Sequence, residues 1–219
     1  MNPNKGVHFF MRGKLKQAAR LTALLSLCVI MLAGCGRSGA PAAITVPTIS
    51  VSDKGAVTSY LVSDFDKDYY DIEELDSMAK EEAAQFNSSH NAVPDSPFVS
   101  VESVEMASDG SARAVVTMKF KDAESYGEFS GTTLYYGTIA QAHEEGYDLD
   151  VELVSAKDGA SIGRKEIYDM STRHILILNE KVNVVCPKKP LYISKGAVIG
   201  SDGTVDLTQT EGSAYIILK

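Results

Sequence analysis

Thirteen residues, Leu21–Ala33, read LTALLSLCVIMLA and carry no charge; the twenty before them hold Lys5, Arg12, Lys14, Lys16 and Arg20 and no acid. No other feature restricts so firmly which part of the chain can fold. A helix needs about 20 apolar residues to span a bilayer, so this run is too short for a stable span. A basic segment followed by a short apolar run is a secretory signal, and it is set aside from the fold. Met1 or Met11 can open it, and the version beginning MRGKLKQAAR has the more usual length. The expected organisation is a signal over residues 1–34, a flexible segment over 35–54 and one domain over 55–219.

The run ends in Leu32-Ala33-Gly34-Cys35. These four positions resemble the lipobox of bacterial lipoprotein precursors. The resemblance covers the signal region alone. It implies a diacylglyceryl group on the sulfur of Cys35, recognition of Leu32, Ala33 and Gly34 by signal peptidase II, and cleavage after Gly34. Each buried methylene contributes about 0.8 kcal/mol, and two acyl chains anchor stably where one does not. No later apolar stretch approaches the length of a span. The expected mature protein is a domain held by lipid on the extracytoplasmic face of a membrane. In general character it also resembles small uncharacterised lipoproteins of Gram-positive bacteria, a likeness that assigns no functional residue.

Charge narrows the partners. The precursor's net charge is −8 and the signal removes five positive charges, so the mature chain carries −13. Such a chain repels nucleic-acid phosphates and gains nothing from anionic headgroups, leaving the lipid to hold the membrane. Of three cysteines, Cys28 lies in the signal and Cys35 is the lipid site. Cys186 is then alone, so no intramolecular disulfide is expected. It sits in the strand-like VNVVCP and reads as a small buried hydrophobe.

The 165 residues from Gly55 to Lys219 suffice for a core without staples. Gly36–Pro47 reads as a tether. A strand is expected over Ala56–Val62. Ile72, Leu75, Met78, Ala79, Ala83 and Phe86 then recur at helical spacing. Pro97–Asp122 reads as a β-hairpin turning at Asp109-Gly110. A helix follows over Ala123–Phe129, capped by Asp122, then a strand in TTLYYG and a helix over Thr138–Glu145 closed by Gly146. Strands are expected at Asp150–Ala156, His174–Asn179, Val182–Cys186, Leu191–Ile193, Val198–Ile199, Thr204–Leu207 and Ala214–Leu218. Ile167–Met170 reads as a helical turn. The expected class is α+β: an N-terminal amphipathic helix on antiparallel sheet, then a β-rich C-terminal part, with a conceivable subdivision near residue 147.

The stretch DFDKDYYDIEEL places Asp64, Asp66 and Asp68 where an EF-hand loop has its first three ligands. The loop's glycine position holds Tyr69, and the position of its bidentate glutamate holds Leu75. Helix capping accounts better for the pattern: Asp66 or Asp68 would cap a helix over Tyr69–Phe86 and complement its dipole. His90, His143 and His174 lack zinc spacing. Glu73-Glu74, Glu81-Glu82 and Glu144-Glu145 read as solvated helix faces. No nucleophile elbow, phosphate loop or dinucleotide glycine pattern occurs.

Tyrosine stands out, with ten residues, pairs at Tyr69-Tyr70 and Tyr135-Tyr136, and no tryptophan. Neighbours on a strand face opposite sides, so a pair puts one ring in the core. Clustered surface tyrosines mark contacts, and a binding patch is the other reading. Neither a catalytic residue nor a cofactor is expected. The leading expectation is a non-catalytic binding or scaffolding module of the cell envelope, its partners the membrane through Cys35 and an envelope protein or small ligand. The alternatives are an envelope hydrolase built from distant residues and a calcium-stabilised module using Asp64, Asp66 and Asp68.

Overall fold

A computed structural model describes residues 44–219. The lipobox positions Leu32, Ala33, Gly34 and Cys35, and most of the segment read as a tether, lie outside the described residues. The described chain is α+β and rich in strand, with two sheets.

The first sheet grows from β1 (Thr48–Val51), β2 (Val57–Asp64), β3 (Val99–Met106) and β4 (Arg113–Phe120). In β4 the buried residues are Ala114, Val116, Met118 and Phe120, at strict alternation. Across the ladder Val57 faces Phe120, Ser59 faces Met118 and Leu61 faces Val116. The same face continues through Ile49 and Val51 on β1. The strand Thr48–Val51 lies inside the 35–54 range expected to be flexible. Ile49 and Val51 are 1% and 2% exposed, so the pleat recruits them into the core.

The β3–β4 hairpin turns at Asp109-Gly110, where Gly110 has φ +75°. Asp109 accepts the Ser111 N–H at 3.0 Å and pairs with Arg113 at 2.6 Å. A register shift at Glu102 places a bulge in β3, which suits an outer strand.

Between β2 and β3 runs α1 (Ile72–Ser89). Its cap is Asp71, neither Asp66 nor Asp68. Asp71 is extended, at φ −121° and ψ 122°, and its side chain accepts from Glu73 N at 2.8 Å and Glu74 N at 3.4 Å. The helix cannot begin at Tyr69 because residues 67–70 are already a turn: Tyr70 N donates to Lys67 O, and the Tyr70 ring stacks on Phe65 at 5.0 Å. Ala79 and Ala83 are buried. At the far end Asn87 accepts the N–H groups of Phe98 and Val99 and donates to Val99 O, tying the helix to β3.

The second sheet comprises β5 (Leu134–Thr138), β6 (Leu153–Ser155), β7 (Ser161–Ile162), β8 (His174–Leu178), β10 (Pro190–Ser194) and β13 (Ala214–Leu218), in the order β5-β8-β13-β10-β6-β7. All its pairings are antiparallel. At its centre Ile175–Leu178 and all of β13 are buried, so both faces are covered. One face carries Tyr135, Ile175, Ile177, Tyr215 and Ile217. The other carries Leu134, Leu176 and Ile216; Tyr136, on that side, meets Gly55 in the β1–β2 turn.

The helix α2 (Ala123–Ser130) bridges β4 to β5. Asp122 caps it through Ser125 N at 2.8 Å, and Gly131 closes it in the left-handed region at φ +63°. After β8 the chain alternates between sheets. The strands β9 (Asn183–Val185), β11 (Val198–Ile199) and β12 (Val205–Asp206) complete the first sheet in the order β11-β12-β9-β1-β2-β4-β3. β9 runs parallel to β1, so the first sheet is mixed rather than purely antiparallel. A cut near residue 147 would part β5 from its partner β8, and residues 44–219 form one compact unit.

Candidate functional site

The outer face of the second sheet is covered by α3 (Ile139–Glu144), α4 (Arg164–Asp169) and the segments beside them. Thr138 and Gln141 form a reciprocal capping box that starts α3 directly at the end of β5. This fixes Ile139 and Ala142 over the sheet, both fully buried. Leu149, Leu153 and Ile167 complete the apolar layer. Ile167 is held by a short helix whose first turn is closed by Glu166, which accepts Gly163 N–H at 3.2 Å.

Around this core lies a rim of half-buried side chains: Tyr147, Val151, Ile162, Tyr168, Met170 and Tyr192. Tyr135 and Tyr215 belong to the core beneath. Half of the ten tyrosines therefore gather in one cluster, although 80 residues separate the first from the last. Tyr147 packs on Tyr135 at 4.6 Å between ring centroids. Tyr168 meets His143 edge-on at 5.0 Å, with its hydroxyl 3.1 Å from Nδ1. The Arg164 guanidinium sits over the Tyr168 ring at 5.5 Å, one helical turn away, as i and i+4 residues must.

Beside the rim a shallow, open depression of about 480 Å³ is lined by Asp150, Val151, Glu152, Ser161, Ile162 and Arg164 among others. Val151 and Ile162 belong to both the lining and the rim. Arg164 lies 3.7 Å from Asp150, beyond hydrogen-bond distance. Ser161 donates its hydroxyl to Glu152 at 2.7 Å. Burial first, and the charge of Glu145 next, raise the phenols of Tyr135, to about 12, and of Tyr147. Burial, with Asp148 nearby, raises that of Tyr215. These hydroxyls stay neutral donors at ordinary pH.

The arrangement offers rings, two half-buried aliphatic side chains and carboxylates on one open surface. It is suited to contact. The Ser161 hydroxyl faces a carboxylate and no imidazole, which is not the geometry of an activated nucleophile.

The other residues singled out by sequence lie elsewhere. Asp64 ends β2, Asp66 pairs with Lys67 at 3.1 Å, and Asp68 is exposed in the turn. Among the described residues no group of three or more His, Cys, Asp or Glu is placed to hold a metal. Cys186 is half-buried just beyond β9, and burial pushes its thiol up to about 12, the reverse of activation. His90 lies 3.1 Å from Glu128, and His174 stacks on Tyr136 at 5.2 Å. The tyrosine pairs divide as strand geometry demands in one case: Tyr135 is 7% exposed and Tyr136 half-buried. In the other, Tyr69 is 76% exposed and leans on Tyr70.

Sequence reasoning did not single out Arg164, Ser161, Ile162 or Tyr168. One signal was present: Arg164 and Tyr168 stand four apart behind a Gly163…Glu166 helix start. Comparison of the chain with protein-family models, with curated proteins and with solved structures found no match.

Proposed function

We propose that this protein is a non-catalytic binding module of the cell envelope, carried on the extracytoplasmic face of a membrane by lipid on Cys35. The observation that supports the binding role is the open depression at the β7 edge of the second sheet, adjoining the tyrosine cluster through Val151, Ile162 and the Arg164–Tyr168 contact. Rigid rings with few rotatable bonds give contact area at low entropic cost. The lipid anchor rests on the sequence Leu32-Ala33-Gly34-Cys35. In this reading the helix Ile72–Ser89, packed on antiparallel strands, and the β-rich C-terminal part form the rigid carrier that presents the depression.

Site-specific photocrosslinking tests the binding role in cells. A photoreactive residue at the exposed Ser161 is expected to give a discrete adduct, and one at Thr58, in the first sheet, none. No adduct at Ser161, or equal adducts at both positions, would overturn it. The anchor is tested separately: palmitate labelling is expected in the natural chain and absent after Cys35→Ser.

A further inference from the structure

Resting on that reading, the geometry points to the class of partner: the depression receives an extended peptide segment bearing lysine or arginine side chains. Three features of the same place converge. The first is an edge. β7 closes one side of the second sheet, and among the described residues it pairs only with β6. A strand at an edge leaves backbone donors and acceptors on one side for an extended chain. The second is apolar surface: Val151 and Ile162 remain half-buried beside that edge.

The third feature is charge. Asp150 and Glu152 line the depression, and Glu144, Glu145 and Asp148 are exposed on the chain leading into it. Arg164 is the one basic residue in the lining. It stands 3.7 Å from Asp150 with its guanidinium over Tyr168, and Glu152 takes only the Ser161 hydroxyl. Arg164 thus pairs loosely with Asp150 alone, Glu152 has no basic partner among the described residues, and the lining keeps a net negative charge. The acidity of the whole chain steers cations inward and repels acidic peptides and nucleic acid. A free polyamine would satisfy the carboxylates but use neither the sheet edge nor Val151 and Ile162. Those contacts favour a peptide.

The test uses the full chain in detergent and a labelled peptide, Lys-Val-Lys-Val-Lys-Val, with the Glu-for-Lys peptide as control and spermine as competitor. Fluorescence anisotropy is expected to show binding of the basic peptide alone. Asp150→Asn with Glu152→Gln should weaken it about tenfold, since two exposed ion pairs with the peptide are lost. The loss should shrink as salt rises. Both carboxylates are exposed, and circular dichroism is expected to be unchanged in the double variant. Equal affinity of natural and double-variant chains, equal binding of both peptides, or no binding of the basic one would overturn the inference. Spermine matching the peptide charge for charge would overturn its peptide part. If the basic peptide fails while Ser161 still crosslinks in cells, the binding module stands and this inference alone falls; if both fail, both fall.

Discussion

The two sheets use the same backbone and different burial. In β4 every second residue is buried, and between them lie Arg113, Thr117 and the exposed Lys119. In β8 and β13 neighbouring residues are buried alike, because α3 and α4 cover one face of the second sheet and the other, with Leu134, Leu176 and Ile216, is buried as well. A half-covered antiparallel strand alternates; a strand covered twice becomes a continuous apolar run. The lesson concerns function too. The second sheet's outer cover is a packed apolar layer carried by short helices and fringed by half-buried tyrosines, and the candidate site lies beside that fringe.

The sharpest way to break this contrast is to truncate adjacent residues in each sheet. Leu176→Ala and Ile177→Ala should each cost about 2–5 kcal/mol, because both faces of β8 are core. In β4 Met118→Ala should cost as much, whereas Thr117→Ala should stay within about 0.5 kcal/mol. Urea unfolding measures all four, and equal costs at Met118 and Thr117 would refute the one-sided burial. Next in size is Gly137→Ala. A Cβ there would lie 2.2 Å from the Tyr135 hydroxyl, forcing a core ring to move. A loss of about 1–3 kcal/mol is expected; a neutral result would mean that the outer layer of the second sheet repacks freely.

Asp71→Ala should remove about 1 kcal/mol by unsealing α1. Asp66→Ala and Asp68→Ala should fall within about 0.5 kcal/mol. The reverse order would restore the cap to the earlier aspartates. The smallest effect concerns the crossover from β8 to β9. There Glu180 accepts the buried Tyr126 hydroxyl at 2.6 Å, and burial raises its carboxyl above the ordinary glutamate value. The native state then holds a proton that the unfolded chain has lost. Stability should therefore fall as pH rises from the ordinary glutamate value through the raised one. Glu180→Gln should flatten that slope in melts across the same range, and an unchanged slope would remove Glu180 as its source.

Much of this fold is legible where short-range chemistry decides it. The β3–β4 hairpin follows from Asp109-Gly110 and from the alternation in ARAVVTMKF; α2 follows from Asp122 and Gly131. Val198–Ile199 and Ala214–Leu218 end where their sequence patterns end. What escapes is settled by distant partners. β1 resembles a linker until β2 and β9 pair with it from both sides. β7 has two residues and exists only because β6 lies opposite. Asp71 becomes the cap because Phe65 and Tyr70 stack and delay the helix. The tyrosine rim is hidden for the same reason: Tyr147, Tyr168 and Tyr192 share no local spacing, and the sheet assembles them.

The alternation of the last strands between sheets has a consequence for how the molecule comes into being. β9 and β12 go to the first sheet, while β13, which follows both, takes an inner place in the second between β8 and β10. Neither layer can be finished in turn, because each waits for residues made after the other has begun. Such long-range closure slows folding and makes it indivisible. A ribosome stalled before Ala214, or a protease that trims β13, would leave an open seam through an inner row of the molecule. The architecture thus inspects its own synthesis: only a chain copied through β13 can hide its core.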